Sequence, residues 1–493
     1  MRAILMPTAQ YSTLAFIAGA MALVLTLAAD IHPVVAAAFA LLPVAALMAL
    51  HPKWLTVMTV LSLVILEEFP WGLGESGERS IRTPFYATSL GIPGVYPPDL
   101  LVFGAIFLLI TRIILTRRQF LLPNDKIQVA LIMITGLLIL SAVLSMADGN
   151  PFHANMAANT ATAYKVNEKG AELIALFQFK NFAFLIFAYV LGLLYFETEQ
   201  DAERLLMALF LAVAVIVLMG FMRILMKPSI IPEAKPLFYH SPSSWIFALA
   251  IFYWIIQWLT GNTSEGQFLI RLAMTACLGL FILISYRRTM WGGIALCMFA
   301  LIPLLPGIIR KRYLILLSIA LGLMACLVVA IPPLLNAVLA RLLETSAADP
   351  STLYRLSLFV WFSQNLADLP LLGYGVRPLW DISASLGYFR TNLENIHSLY
   401  FWVLLRVGLI GFLAFAVSLF LIALQIIQSI RRQQGQRYFA ICTVIALALI
   451  MLLFSGIFNP VYAEIRYVVL IGFAFAFISR LPLMTGEFNA ARV

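Results

Sequence analysis

Long apolar runs, separated by short polar segments, follow one another along almost the whole chain. A helix that crosses the hydrocarbon core of a bilayer, ~30 Å thick, needs about 20 mostly apolar residues at a rise of ~1.5 Å per residue. Two of the runs are short, so the pattern predicts an all-α polytopic membrane protein with about 12–14 transmembrane helices. The fourteen predicted spans are 13–30, 33–50, 53–68, 98–116, 127–146, 173–196, 205–226, 245–260, 270–286, 291–309, 313–331, 398–428, 438–456 and 464–481.

The first run has two interpretations. Arg2 precedes the apolar stretch from Leu14 to Ala29, as in a secretory signal peptide. A second apolar run follows at once at 33–50, which favours a first transmembrane helix over a cleaved signal.

Composition agrees with a membrane protein. Of the 493 residues, 62% are hydrophobic and 11% are charged, against about 25% charged residues in a soluble domain. The mean hydropathy is +0.97. These values exclude a soluble enzyme, a disordered chain and a nucleic-acid-binding domain, so the net charge of +9 raises the question of which membrane face carries it.

Basic clusters in short loops predict the orientation. Arg117-Arg118, Arg310-Lys311-Arg312 and Arg431-Arg432 fall on one side if the spans alternate, and short loops rich in Lys and Arg face the cytoplasm. Both termini are then cytoplasmic. Sixteen of the 32 basic residues and seven of the 23 acidic residues lie on that side, so it carries the whole charge of +9 and the outer side sums to zero.

The longer loops lie on the other, outer face, and the longest of them is 332–397. We predict N-terminal transmembrane helices over 1–270, a membrane core over 271–481 that includes this loop, and a cytoplasmic tail over 482–493. The outer basic residues are not explained by topology, and a charge within a span is costly unless it has a function or a partner.

Two adjacent arginines, Arg287 and Arg288, lie between the ninth and tenth spans at the outer membrane edge. Guanidinium groups can bind phosphate oxygens in bidentate fashion, which a lysine cannot do. The pair is therefore a candidate anion site. In the alternative interpretation the arginines and Trp291 anchor a tight turn in the interface.

Arg355 is a second candidate, in the long outer loop. The apolar positions around it indicate a helix on the membrane surface with Arg355 at its polar edge. A salt bridge from Arg355 to Asp349 or Asp368 is the alternative.

His397 begins the twelfth span from the outer side. At 100° per residue of an uninterrupted helix, Gly408 and Gly411 lie within 40° of His397, so all three share one stripe. Glycines let a neighbouring backbone or lipid chain approach closely, and an imidazole can take a proton from a hydroxyl near neutral pH. A purely structural histidine at a helix end is the alternative.

The remaining polar candidates are scattered. Lys180 lies within the sixth span, Arg377 in the outer loop and Arg466 at the start of the last span. Charged residues in spans are functional candidates, although snorkelling accounts for those near helix ends. The spacing of the histidines, cysteines and carboxylates contains no metal-site motif.

Three segments together resemble the bacterial O-antigen ligase/polymerase family. His397-Ser398, nine residues and Gly408-x-x-Gly411 are similar to the histidine signature of that family. Arg355, Trp361 and Pro370-Leu-Leu-Gly373-Tyr-Gly375 resemble its outer-loop stretch, and Arg288-Thr-Met-Trp291 resembles an upstream segment. The resemblance covers roughly 280–475.

The resemblance implies a GT-C-like inner-membrane glycosyltransferase with its active site facing the periplasm. It implies inverting transfer of a glycan from undecaprenyl diphosphate, without metal or other cofactor, to a growing glycan (polymerase) or to lipid A–core (ligase). In this family the signature histidine, here His397, is the proposed base or positioning group for the acceptor hydroxyl, and two arginines are assigned to the diphosphate. The latter correspond to Arg355 and to Arg288 or its neighbour Arg287, while Gly408, Gly411 and Trp291 are candidates for a lipid or acceptor groove.

We favour a polymerase over a ligase, because the chain is long and departs from ligase detail at several positions. A flippase or transporter for a lipid-linked sugar is an alternative from another class, for which Lys180 and Arg406 would be the relevant charges. A non-catalytic scaffold is a third. Expected partners are the lipid-linked glycan donor, the acceptor, the bilayer, and as candidates a flippase and a chain-length regulator, but no nucleic acid.

Overall fold

The architecture was obtained as a computed structural model. It describes residues 52–66, 97–116, 123–147, 172–226, 241–261, 265–285, 287–330, 359–360, 362–373, 375, 398–459, 461 and 465–486.

The described residues form twelve α-helices of at least 15 residues and a short 3-10 helix at Leu366–Asp368, with no strand among them. The helices are α1 (Pro52–Leu66), α2 (Pro97–Leu115), α3 (Lys126–Ala147), α4 (Glu172–Tyr195), α5 (Glu199–Met226), α6 (Ser241–Leu259), α7 (Glu265–Ile284), α8 (Arg288–Leu304), α9 (Gly307–Ala330), α10 (Leu399–Arg432), α11 (Phe439–Phe458) and α12 (Ile465–Met484). The all-helical prediction is confirmed for this part of the chain. Each of the last twelve predicted spans coincides with one of these helices.

Two predicted spans, 13–30 and 33–50, and most of the long outer loop lie outside the described residues. By length and composition, five helical segments can cross a membrane in the described part: 199–222, 267–284, 399–432, 439–458 and 466–484. Large apolar side chains point outward from several helices; Phe107, Leu225 and Ile308 are examples. Such surfaces are unfavourable in water, which agrees with a multi-pass membrane protein.

Antiparallel contacts place α11 at the centre of the C-terminal helices. It packs against α6, α8, α10 and α12. The Cys297 thiol of α8 donates to the Leu447 carbonyl at 3.3 Å, and the Trp245 indole of α6 donates to the Ala448 carbonyl at 3.4 Å. The end of α11 that follows these contacts therefore meets the start of α8 and the start of α6.

N-terminal helices support this core. α12 packs along α4, where the Arg480 Nε donates to the Leu193 carbonyl at 3.0 Å. α10 packs along α3, where Lys126 Nζ donates to Gln428 Oε1 at 2.8 Å. The helices before residue 270 are thus in direct contact with the later ones, and the domain boundary near 270 stays a prediction.

A buried carboxylate joins α1 to α5 on the predicted cytoplasmic side. Asp201 is almost fully buried and accepts from Lys53 Nζ at 2.6 Å. It also accepts from the Thr198 amide at 2.9 Å, while Arg204 lies 3.6 Å away. Because the carboxylate is paired and hydrogen-bonded, its burial is tolerated.

Candidate functional site

The two adjacent arginines mark the beginning of α8. Arg287 is the N-cap residue, with an extended backbone, and Arg288 is the first helical residue. The Arg287 carbonyl accepts from the amides of Met290 and Trp291 at 2.9 and 3.1 Å. Both arginines are half-buried. Two guanidinium groups and the positive end of a helix dipole therefore coincide at one point, which favours a bound anion.

Trp291 closes the turn between α7 and α8. Its indole Nε1 donates to the Ile282 carbonyl at 3.0 Å, nine residues earlier. This contact is the one expected if Trp291 anchors the turn. Its suggested role in a lipid or acceptor groove stays a prediction.

The start of α8 is held on the last turns of α11. Asn459, which caps α11, donates from Nδ2 to Thr289 Oγ1 at 3.1 Å. Gly292 has no space for a side chain, because a Cβ there would lie 2.8 Å from the Phe454 ring. The small residues after the arginine pair thus bring the two helices into close contact.

α10 begins at the same end of α11. Ser398 is its N-cap and accepts from the Phe401 amide at 3.5 Å. The Tyr400 hydroxyl donates to the Leu453 carbonyl at 2.9 Å, and Leu399 packs against Gly456. Since Ser398 directly follows His397, the beginning of the histidine-bearing span and the arginine pair meet on the last turns of one helix.

Several predicted site residues lie outside the described residues: His397, Arg355 and Arg377. The backbone of Lys180 is part of α4, but its side chain is not among those described. The functional roles of these four residues stay predictions.

Arg466 is fully buried near the start of α12, which follows the same end of α11. Its Nη1 donates to Ser243 Oγ in the first turn of α6 at 3.3 Å. Tyr467 meets Trp245 edge to face, with the ring centroids 5.1 Å apart. Burial between two helices is not the snorkelling expected of an arginine near a helix end.

The predicted stripe of His397, Gly408 and Gly411 assumed an uninterrupted helix, and this assumption is wrong. Gly408 has φ 65° and ψ −170°, which breaks the helical backbone of α10. The count of 100° per residue therefore does not hold across Gly408. A Cβ on Gly411 would lie 2.3 Å from the Val407 Cβ, so part of the expected groove is filled by the chain itself.

Residues 371–373 and 375, in the predicted outer loop, cross α10 at this break. The Ile410 amide donates to the Leu371 carbonyl at 3.2 Å. A Cβ on Gly408 would lie 2.2 Å from the same carbonyl oxygen, and a Cβ on Gly373, at φ 73°, would lie 2.4 Å from the Gly408 nitrogen. Two glycines are required here because the two backbones touch.

Arg406 secures the crossing, and the sequence reasoning did not include it among the site residues. Its guanidinium is buried, donates to the Gly375 carbonyl at 3.1 Å, and lies 5.8 Å from the centre of the Trp402 ring. The Gly375 amide donates back to the Arg406 carbonyl at 3.1 Å, and Ser141 Oγ donates to that carbonyl at 3.2 Å. The signal available in the sequence was an arginine two positions before Gly408 within a predicted span. The residue that Arg406 binds, Gly375, lies 31 positions earlier in the chain.

Two aromatic side chains from an earlier part of the same loop cover the first turn of α10. Phe362 is buried and stacks on Phe401 with ring centroids 3.9 Å apart. Phe359 meets Phe401 edge to face at 4.8 Å. Residues 359–360 and 362–365 are helical, as predicted for this stretch, and Phe359 and Phe362 dock on the first turn of α10.

No cluster of three or more His, Cys, Asp or Glu side chains that could hold a metal ion occurs among the described residues. The positive groups of the site in this part of the chain are the arginines and the N-termini of α8 and α10.

Apolar helices, a pair of arginines at one end of the bundle and a loop segment docked on the neighbouring helix together indicate a multi-pass membrane protein with a positively charged site at that end. Residues 272–416 match the family model of the O-antigen ligases, so the chain carries a domain of this family. The match runs from α7 into α10 and includes Arg287, Arg288 and Gly408. No curated protein matches the chain. The match bears out the family resemblance over these residues and supports an O-antigen ligase/polymerase-type, glycosyltransferase-like function. Membership of this family implies a lipid-linked glycan and an acceptor in a membrane as substrates.

Proposed function

We propose that the protein is an inner-membrane glycosyltransferase that moves a glycan from undecaprenyl diphosphate to a sugar hydroxyl on the periplasmic face. The observation that carries the proposal is the convergence of the arginine pair and the start of α10 on the last turns of α11. Both lie in the segment that matches the O-antigen ligase family.

The chemistry requires stabilisation of a departing diphosphate. The bond between the anomeric carbon and the phosphate oxygen breaks, and the negative charge grows on the diphosphate. Arg287, Arg288 and the N-terminus of α8 supply positive charge before the reaction begins, which is the arrangement that lowers a barrier most. Arg355 is proposed as a further ligand of the same diphosphate, and no metal ion is needed for this role.

His397 is proposed as the base. The acceptor hydroxyl oxygen attacks the anomeric carbon from the face opposite the diphosphate, so the configuration inverts, and its proton passes to the imidazole. Its neighbour Ser398 caps α10, so the backbone just after His397 is held by α11 through Leu399 and Tyr400.

An apolar groove near Leu399 is the proposed position for part of the polyprenyl chain. The groove holds about 80 Å³ between α3, α4, α10, α11 and α12, and its lining side chains are apolar except for Tyr467. It replaces the glycine stripe as the candidate lipid groove, because the chain itself fills the space at Gly408 and Gly411.

The proposed orientation of the protein in the membrane rests on basic residues at the ends of the helices that lie away from the arginine pair. Arg310, Lys311 and Arg312 are exposed at the start of α9, and Arg431 and Arg432 are exposed in the last turn of α10. These basic residues lie at the end of the bundle away from Arg288. The positive-inside tendency places them in the cytoplasm and the arginine pair in the periplasm.

Glycan analysis of a strain that lacks the gene tests the proposal. If single repeats remain on the surface and the ladder of longer chains is lost, the protein is a polymerase, which we prefer. If chains of normal length accumulate on undecaprenyl diphosphate, it is a ligase, the function in the family description. Repeat units retained on the cytoplasmic side indicate the flippase alternative, and unchanged surface polymer contradicts all three.

Complementation with His397→Ala separates catalysis from a scaffold role. We expect loss of polymer at normal protein level in the membrane, whereas His51→Ala, at the predicted cytoplasmic start of the third span, restores the polymer. A scaffold would tolerate both substitutions.

A further inference from the structure

A second site lies at the end of the bundle opposite the arginine pair. A half-open cavity of about 690 Å³ is lined by the beginnings of α5, α7 and α11, the end of α6 and the turn that follows α10. α7 has 20 residues and is therefore about 30 Å long. Arg271 lies in the second turn of this helix, and the helix ends three residues before Arg287. The cavity and the arginine pair therefore lie at opposite ends of a helix long enough to cross a bilayer.

One wall of the cavity is aromatic. Phe210 and Trp254 stack with their ring centroids 5.4 Å apart and an angle of 13° between the planes. Tyr253 lies beside Phe210 at 5.4 Å and accepts from Gln257 Nε2 at 3.3 Å. Tryptophan and tyrosine favour the interface between headgroups and acyl chains, so this wall fits the boundary of the bilayer.

The other wall is polar and contains two arginines, Arg271 and Arg437. Arg437 forms ion pairs with Glu203, which also lines the cavity, and with Glu199 at 3.0 Å. Arg271 contributes a further guanidinium and donates to Gln267 Oε1 at 3.3 Å. With Glu199 included, the two arginines and the two glutamates sum to zero. Since Arg437 is paired with both glutamates, Arg271 is the lining cation that an anionic group would meet.

An apolar surface continues from the cavity along the outside of the bundle. Met207 lines the cavity and is 59% exposed, and Leu211, one turn further along α5, is 56% exposed. A molecule with a polar head in the cavity could therefore lay a hydrocarbon chain along α5.

We propose that this cavity binds the headgroup of an anionic glycerophospholipid of the cytoplasmic leaflet. Arg271 donates to the phosphate, the amides of Gln257 and Gln436 meet the glycerol hydroxyls, and an acyl chain follows Met207 and Leu211. Basic pockets between transmembrane helices on the cytoplasmic side are known to select such headgroups. The inference uses neither the donor nor the acceptor of the proposed reaction.

Native mass spectrometry of the purified full-length protein tests the proposal. The protein is delipidated and titrated with phosphatidylglycerol, phosphatidylethanolamine or inorganic phosphate. We expect one tightly bound phosphatidylglycerol, with about tenfold weaker binding of phosphatidylethanolamine. Equal affinity for the two lipids, or displacement of the lipid by inorganic phosphate at equal concentration, would overturn the proposal.

Two single variants test whether phosphatidylglycerol binds in this cavity. Arg271→Gln is expected to weaken phosphatidylglycerol binding about tenfold. Arg312→Gln, an exposed arginine of α9 near the same membrane face, is the matched control and is expected to bind normally. Equal binding by both variants would exclude this cavity. The titration of the unmodified protein tests the proposal even if Arg271→Gln fails to fold. A negative result for lipid binding would leave the proposed glycan transfer unaffected.

Discussion

Arg406 and Gly375 exchange two hydrogen bonds, each 3.1 Å long: the guanidinium donates to the Gly375 carbonyl, and the Gly375 amide donates to the Arg406 carbonyl. This reciprocal pair joins the outer-loop segment to α10, seven residues after the helix begins. Arg377 follows Gly375 by two positions, and the loop then leads to His397. The pair thus fixes the beginning of the segment that carries two candidate site residues.

Removal of the guanidinium is expected to release this segment. Arg406→Met loses a charge-assisted hydrogen bond worth about 1.5–3 kcal/mol. The amides of 371–375 should therefore exchange with deuterium at least about tenfold faster, as measured by mass spectrometry. Arg432→Met, at the exposed far end of α10, serves as the control. Unchanged exchange in Arg406→Met would show that the backbone contacts alone hold the segment.

A methyl group at the crossing should be poorly tolerated. Gly408→Ala places a residue with a Cβ at φ 65°, 2.2 Å from the Leu371 carbonyl oxygen. We expect a loss of more than about 2 kcal/mol in stability, measured as the folded fraction after heating in detergent. Gly136→Ala is the matched control in α3, where no atom lies within 4 Å, and it should be neutral or stabilising. Equal stability of the two variants would contradict the observed backbone of α10.

The arginine pair should not tolerate lysine. A lysine keeps the charge but cannot donate two parallel hydrogen bonds to a phosphate. We expect the double variant Arg287→Lys/Arg288→Lys to lose at least about 100-fold in glycan transfer, measured in membranes with a lipid-linked donor. The single variants show which arginine binds the diphosphate. Arg312→Lys, at the opposite face, should retain full activity, and retention of activity by the double variant would remove the bidentate argument.

The buried ion pair at the other face should matter for stability. Asp201→Asn removes the buried carboxylate that Lys53 contacts at 2.6 Å, while the Glu197 carboxylate at 2.9 Å remains. The loss of a hydrogen bond between charged groups costs about 1.5–3 kcal/mol. Glu199→Gln removes a pair whose side chains are 45% and 55% exposed, and it should cost less than about 1 kcal/mol. Thermal unfolding of the two purified variants provides the comparison. Similar midpoints would mean that the Asp201 cluster is not a stabilising element.

Substitutions of the arginine pair and of Asp201 should lower glycan transfer for different reasons. Arg287 and Arg288 are expected to control the reaction with little effect on folding, since both lie at the start of α8 and are only half-buried. Asp201 is expected to affect the amount of folded protein and not the rate per folded molecule. A measurement of transfer normalised to protein in the membrane separates these effects.

The sequence by itself determined the helices and the family. A run of about 20 apolar residues has few alternatives to a helix in a bilayer, because backbone groups there must be hydrogen-bonded within the segment. The spans from 53–68 onward therefore coincide with observed helices. The arginine pair was also visible, because two adjacent guanidinium groups at a membrane edge are costly unless they have a role.

Only the tertiary structure decided which of these features meet. Helical periodicity predicted that Gly408 shares a stripe with His397. In the structure the backbone of Leu371 and Gly373 touches Gly408, whose positive φ interrupts the helix. The contact of Arg406 with Gly375 joins residues 31 positions apart, and no local pattern encodes that pairing. Helix propensity acts over a few residues, whereas the place of the site depends on α11, which holds the starts of α8 and α10 together through contacts that exist only after the bundle has packed.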